Sequence, residues 1–230
     1  PQDELQSHSI AVRRNLNGVG QNLQDHLQIR TIYRVDNTVT LNQRARTPWG
    51  RAMMGLEYFL KKTGPLTMPP SQLGAFAKSD PSQPSANIEW HVQPLSLDKF
   101  GSPLHRYNAI TPSVCNLRPS SRGTVSLKSA NPHDAPAIAP NYLSTQEDRD
   151  VAVAGLRFTR DIMAAPALAP FNPRELKPGP HITTEEELQR AAGDLGTTIF
   201  HPVGTCKMGP ANDNQAVVDD HLRVHGVAGL

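Results

Sequence analysis

Ile88-Glu-Trp-His-Val-Gln93 alternates without a break. Ile88, Trp90 and Val92 fall on one side of an extended chain, Glu89, His91 and Gln93 on the other. That is the signature of a strand with one core face and one polar face, which antiparallel sheets tolerate and fully covered parallel sheets do not. Two further stretches, Ala109 to Leu117 and Gly123 to Ser129, carry strand signals bounded by Pro, Gly and Ser. Upstream, Ile29, Tyr33 and Val35 share one parity and Arg30, Arg34 and Asp36 the other, so Leu27 to Val35 reads as a half-buried strand. The polar face with Glu89, His91 and Gln93 either meets solvent or lines a pocket.

Helices interrupt these strands. From Pro48, the residues Ala52, Leu56, Phe59 and Leu60 recur at three- and four-residue steps until Gly64-Pro65 stops the pattern. Ser144-Thr-Gln-Glu147 reads as a capping box opening a longer helix through Val151, Gly155, Phe158 and Ile162, which Pro166 ends. Thr183-Thr-Glu-Glu186 reads as a second box before a short acidic helix; its glutamates Glu185 to Glu187 suit the positive end of a helix dipole and need no metal. The expected class is therefore α+β, an antiparallel sheet with flanking helices.

Composition narrows the function. The chain has 230 residues, with 23 Lys+Arg against 21 Asp+Glu and a formal charge of +2, a balance that excludes an electrostatic nucleic-acid footprint. No window approaches the ~18 apolar residues of a membrane span, so no transmembrane segment is expected. Proline, at 21 residues, is about 9% of the chain against an average near 5%, which implies many irregular connections. With Cys115 and Cys206 alone, a disulfide scaffold and a Cys-based zinc cage are excluded by count. His221 and His225 sit in a strand-and-turn pattern whose spacing does not converge on a metal, and no metal site is expected. A chain opening Pro-Gln-Asp and closing on Val-Ala-Gly-Leu reads as a piece of a longer one.

Phe200-His-Pro-Val-Gly-Thr-Cys-Lys-Met-Gly209 reads as a shaped loop. Pro202 fixes its own φ and biases His201 towards an extended conformation, while Gly204 permits a tight turn or a close approach to a flat ligand. A histidine so held is a general-base candidate; a structural histidine bonded inside the loop is the competing reading. No Gly-x-Ser-x-Gly elbow signals a serine hydrolase, and nothing but nearness in sequence to His201 argues for Cys206 as a thiolate. Asn17-Gly-Val-Gly-Gln-Asn-Leu-Gln-Asp-His26 offers Gly-x-Gly but carries Leu23 where a nucleotide fingerprint needs its third glycine.

Taken together and in order, Gly18-Val-Gly-Gln-Asn-Leu-Gln-Asp-His26, Arg118-Pro-Ser-Ser-Arg-Gly-Thr-Val125, Pro140-Asn-Tyr-Leu-Ser144, His201-Pro-Val-Gly-Thr-Cys-Lys-Met-Gly209, Ala216-Val-Val-Asp219 and Leu222-Arg-Val-His-Gly226 resemble the glucose–methanol–choline (GMC) flavin oxidoreductases. The chain most resembles their bacterial choline-dehydrogenase-like branch. The resemblance implies FAD as cofactor of the complete protein, and an alcohol whose CH–OH group is oxidised. It implies the substrate-binding lobe of such an enzyme over 27–195, the end of the FAD-binding lobe over 1–26, and a return to that lobe with the catalytic loop over 196–230. It makes His201 the base for the substrate hydroxyl, places Asn22 at the flavin, and sets Glu89, His91 and Gln93 in a sheet over the active site. The electron acceptor, oxygen or a quinone-like carrier, and the alcohol are left open; a cytoplasmic location is expected.

The family's glycine-rich FAD fingerprint is absent from these residues. Its second catalytic side chain, His or Asn, lies in a stretch beyond the position matching Leu230. The 230-residue chain alone is therefore expected to bind no FAD stoichiometrically and to oxidise nothing. A non-catalytic binding module derived from the substrate lobe is the rival expectation.

Overall fold

The computed structural model describes residues 1–69 and 71–230. In chain order the elements are α1 (Gln2–Ser7), β1 (Leu27–Arg30), β2 (Ile32–Arg34), α2 (Leu41–Arg44), α3 (Pro48–Lys61), β3 (Leu73–Ala77), β4 (Ile88–Gln93), β5 (Ala109–Asn116), β6 (Thr124–Ser126), β7 (Ala137–Ala139), α4 (Gln146–Met163), β8 (Arg174–Lys177), α5 (Glu185–Leu195) and β9 (Gly196–Thr198). They form two compact units: residues 1–26, 119–148 and 198–230 make one, and 27–118 with 149–197 the other. Residues 119–148, expected within a continuous 27–195 domain, thus cluster with the chain's two end segments.

The second unit is built on an antiparallel sheet in the order β3-β4-β5-β1-β9, with β2 pairing both β5 and β8. The expected strands at 27–35, 87–93 and 109–117 are all present, the first broken in two. The break falls opposite Pro112, which has no N–H to give the ladder; there the Thr31 hydroxyl donates to the Pro112 carbonyl at 2.7 Å. Register places Glu89 opposite Cys115, Trp90 opposite Val114 and His91 opposite Ser113. The alternation in β4 holds from Ile88 to His91, with Ile88 and Trp90 buried along with Val114 and Ile29, and reverses at the end, where Val92 is half-buried and Gln93 buried.

That apolar face packs on α4, whose residues from Arg149 onward belong to this unit. Trp90 Nε1 donates to Thr159 Oγ1 at 2.8 Å and its ring lies 5.0 Å from that of Phe158. Gly155 lets the helix come down on the sheet, since a Cβ there would stand 3.0 Å from Val114 Cγ2. At the far edge, β3 pairs only with β4 among the described residues, and four of its five residues are exposed.

At both helices the capping hydroxyl sits one residue later than the sequence suggests, and α5 carries the full capping box. In α5 the cap is Thr184, whose Oγ1 accepts from Glu187 N at 3.3 Å while the Glu187 carboxylate accepts from Thr184 N at 3.0 Å. At α4, Thr145 Oγ1 accepts from Asp148 N at 3.2 Å. In each motif two hydroxyl residues stand side by side, and the helix starts after the second. The helix predicted from Pro48 is α3, but its apolar stripe points outward: Trp49, Met53, Leu56, Phe59 and Leu60 are exposed and Met54 is its buried residue.

The first unit has little regular structure. The stretch Gly123 to Ser129, expected as a strand of the main sheet, instead contributes β6 to a separate hairpin with β7. Gly18 and Gly20 are close-packing residues: a Cβ would stand 2.0 Å from the Gln215 carbonyl oxygen at the first and 2.1 Å from that of Val125 at the second, where φ is also +73°.

Candidate active site

Two segments that the sequence separates by some 175 positions run antiparallel in the first unit. Gln24 and Val203 exchange both backbone hydrogen bonds, at 2.9 and 2.8 Å, and Ile199 N donates to His26 O at 3.2 Å. Gly20 N donates to Thr205 O at 3.0 Å. The loop carrying His201 is thereby laced along the length of the Asn-Leu-Gln-Asp-His segment.

Asp25 is the pin. It is only 7% exposed, and a buried carboxylate needs donors to offset its lost hydration. Its Oδ1 accepts from His201 N at 3.1 Å, and its Oδ2 from Thr198 Oγ1 at 2.5 Å and from the Tyr142 hydroxyl. Thr198 Oγ1 also accepts from Phe200 N at 2.8 Å. These contacts hold Phe200 at φ +65°, a left-handed conformation that a bulky side chain rarely adopts, immediately before His201. Burial first, then the hydrogen bond to Asp25, push the Tyr142 phenol up to about 12.

The His201 ring is exposed and meets His26 edge to face, centroids 5.5 Å apart, with the Nδ1 atoms at 3.4 Å. When His201 Nδ1 donates to His26, its Nε2 carries a lone pair, the form a base requires. Asn22 braces the same loop: its Nδ2 donates to Gly204 O at 3.2 Å, and its Oδ1 accepts from Arg122 Nε at 3.1 Å. Gly204, at φ +96°, leaves room for that approach, since a Cβ there would stand 2.4 Å from Asn22 O.

Glu89, His91 and Gln93 lie in the second unit, on the sheet face opposite Trp90, with Gln28, Arg30, Ser113 and Cys115 from neighbouring strands. Gln93 is committed within the protein: its Oε1 accepts from Arg30 Nη2 at 2.9 Å and its Nε2 donates to Ser71 Oγ at 3.4 Å. Burial lowers the pKa of Arg30, whose guanidinium lies 4.3 Å over the Phe100 ring. Glu89 and His91 are half-buried side by side, His91 Nε2 standing 3.3 Å from Glu89 Oε1 but out of line for a hydrogen bond. That nitrogen and Ser113 Oγ are buried polar atoms with no hydrogen-bond partner. The ligand atoms of Glu89, His91 and Cys115 lie within 4.8 Å of one another. Cys115 and Cys206 form no disulfide.

Sequence reasoning singled out His201 and did not single out Asp25, Tyr142 and Thr198, which the structure brings to its loop. Asp25 stands inside a motif already singled out, but its partners come from positions 142 and 198, and no local spacing links them.

The site's donor set suits the ring end of a flavin better than its phosphate end. His201 presents an exposed imidazole next to the Gly204 turn. In the Gly18-Val-Gly20 stretch the Val19 and Gly20 amides are already engaged, donating to Leu16 O at 3.3 Å and Thr205 O at 3.0 Å.

Residues 119–230 match the family model for GMC oxidoreductases. Over 99% of its length the chain is 39% identical to an alcohol dehydrogenase [acceptor] of Pseudomonas putida, and over its full length 37% identical to an oxygen-dependent choline dehydrogenase of Proteus mirabilis. It spans 41% of the length of each. The fold is that of a solved Aspergillus oryzae RIB40 formate oxidase variant, with a TM-score of 0.88 at 24% identity over 99% of this chain and 44% of that one. With the His201 loop laced to the Asn-Leu-Gln-Asp-His segment and relatives matching along the length of this chain, residues 119–230 are a GMC oxidoreductase C-terminal domain.

Proposed function

We propose that this chain is the substrate-lobe and catalytic-loop portion of an FAD-dependent alcohol oxidoreductase, with His201 as the base. The observation that carries this reading is the Asp25 anchorage, which spends a buried carboxylate and two side-chain hydroxyls on the backbone around one exposed imidazole. A loop whose histidine served only packing would bury the ring rather than present it. Residues 1–26 and 196–230 are assigned to the flavin-binding lobe, and 27–195 to the substrate lobe except where 119–148 join the former.

FAD, when bound, supplies an acceptor for the carbinol hydride. His201 takes the hydroxyl proton at Nε2 while its Nδ1 engages His26. With the proton on His201, the O–H electron pair stays on oxygen and would form the C=O bond as the carbinol hydride passes to the acceptor that FAD would supply. Asn22 and Gly204 hold the loop's far end. Within the second unit, Gln93 steadies the polar face of β4 through Arg30, beside Glu89 and His91, the residues proposed for the substrate lobe's own polar contacts. The phosphates of FAD are held by the remainder of the polypeptide, and the 230-residue chain alone neither retains flavin nor turns over.

The test is visible absorbance of the full-length gene product and its bleaching by a panel of alcohols. A flavin spectrum bleached by alcohol, with the His201→Ala enzyme keeping its flavin but losing roughly 10²- to 10⁴-fold in bleaching rate, is the expected result. Equal bleaching in the variant removes His201 as the base. A full-length protein without flavin hands the chain to the binding-module reading, and a yellow, active 230-residue chain refutes its dependence on the rest.

A further inference from the structure

Three different ligand types converge on the polar face of the sheet. Glu89 and His91 stand two residues apart on β4, a spacing that puts both side chains on one face. Register sets Cys115 of β5 opposite Glu89, and Ser113 opposite His91. The ligand atoms of Glu89, His91 and Cys115 all lie within 4.8 Å of one another, although the cysteine comes from a different strand.

The protein itself leaves polar atoms on this face unserved. Among the described residues His91 Nε2 is buried without a hydrogen bond, and so is Ser113 Oγ, in a residue with no exposed surface. A buried polar atom without a partner is costly, and two from facing positions of one sheet call for an occupant. The 3.3 Å between His91 Nε2 and Glu89 Oε1 is out of line for a hydrogen bond but has the length of a zinc tetrahedron's edge. Metal bonds of about 2.0–2.1 Å at the tetrahedral angle set nitrogen and oxygen about 3.3–3.4 Å apart. The longer Zn–S bond asks for about 3.6 Å from sulfur to each, so side chains now within 4.8 Å close by about an ångström at most.

One imidazole, one carboxylate and one thiolate suit a borderline ion such as Zn²⁺ and suit poorly Mg²⁺ or Ca²⁺, which take oxygen ligands. Three protein ligands leave a fourth position to water, and Ser113 Oγ shares the face from which that water would be hydrogen-bonded. Carboxylate and thiolate together balance a divalent charge. Arg30, which faces Ser113 across β1, directs its guanidinium to Gln93 Oε1 and over the Phe100 ring.

We propose that Glu89, His91 and Cys115 form a three-ligand site for a divalent ion of the zinc class. The Cys115 thiol releases its proton to solvent as the Sγ–metal bond forms, so affinity rises with pH. The cysteine count that excludes a Cys-based cage leaves a single-cysteine site open, and only sheet register brings Cys115 to the other two. Occupancy is read from the metal itself, so the site stands or falls whether or not an alcohol uses the same side chains and whether or not His201 is the base.

The experiment is titration of Co²⁺ into the full-length, flavin-loaded protein, free of any histidine tag, with Zn²⁺ added afterwards as competitor. One equivalent is expected to produce the visible bands of tetrahedral cobalt to the red of the flavin spectrum, with a thiolate-to-cobalt difference band in the near ultraviolet, and Zn²⁺ to erase both. Glu89→Gln and His91→Gln should each weaken cobalt binding by roughly 100-fold, and Ser113→Ala by roughly ten-fold. Cys115→Ser should abolish the thiolate band, and Cys206→Ser should leave it intact. Flavin absorbance of each variant reports that it has folded, and the half-buried Glu89 and His91 keep the test open should the buried Cys115 not tolerate replacement. Absence of the bands at millimolar cobalt overturns the proposal, as do bands that survive both Glu89→Gln and His91→Gln or that vanish with Cys206→Ser.

Discussion

Tyr142 gives its hydroxyl to Asp25, and the consequence is legible in pH. An unfolded tyrosine ionises near about 10, whereas this phenol holds its proton to about 12. Above the unfolded value the unfolded chain gains by ionising and the folded one does not, so stability falls as pH rises through that window and levels off beyond it. Tyr142→Phe removes this contribution. The variant should be less stable near neutrality, having lost one donor to a buried carboxylate, yet lose less on going from pH 9 to 12, roughly the window bounded by the two values. Thermal unfolding of both proteins across that range measures the difference; parallel profiles would refute the assignment. At this scale the sequence announced His201 through the rigid Pro202 and the Gly204 turn, because stiffness is a local property. It could not announce Tyr142, whose role depends on a partner 117 positions away.

β4 and α4 meet through Trp90, which is 2% exposed, packed against the Phe158 ring and hydrogen-bonded to Thr159. Trp90→Ala should cost about 3–5 kcal/mol by chemical denaturation, the usual toll for emptying a large aromatic site in a packed core. A loss below about 1 kcal/mol would mean that the helix and sheet close over the gap. Both elements were readable in advance, since period two in β4 and three- and four-residue steps in α4 each report a face that must be covered. The cap positions slipped by one because Ser144-Thr145 and Thr183-Thr184 each offer two equivalent hydroxyls, and only the packed helix selects between them. The hairpin β6–β7 was misplaced because a strand's pattern states that it pairs, not with what. In α3 the periodicity gave the helix correctly but not the direction of its apolar side, which the structure turns outward with Trp49 and Phe59 exposed.

Each of the two compact units is assembled from separated lengths of chain, three in one and two in the other. The second unit takes β1 to β5 from 27–118 and its covering helix from beyond 148. A peptide spanning 27–118 should therefore fail to fold cooperatively, exposing Ile88, Trp90 and Val114; a sharp thermal transition from that peptide would contradict the packing described. The open flank of β3 carries a different consequence. Leu73 and Phe76 project from an edge whose backbone groups have no strand beside them among the described residues, and such an edge templates a foreign strand as readily as a native one. Handled by itself and concentrated, the 230-residue chain is thus a candidate for edge-to-edge stacking into fibrils, a hazard that charged substitution at Leu73 should suppress without disturbing the sheet behind it.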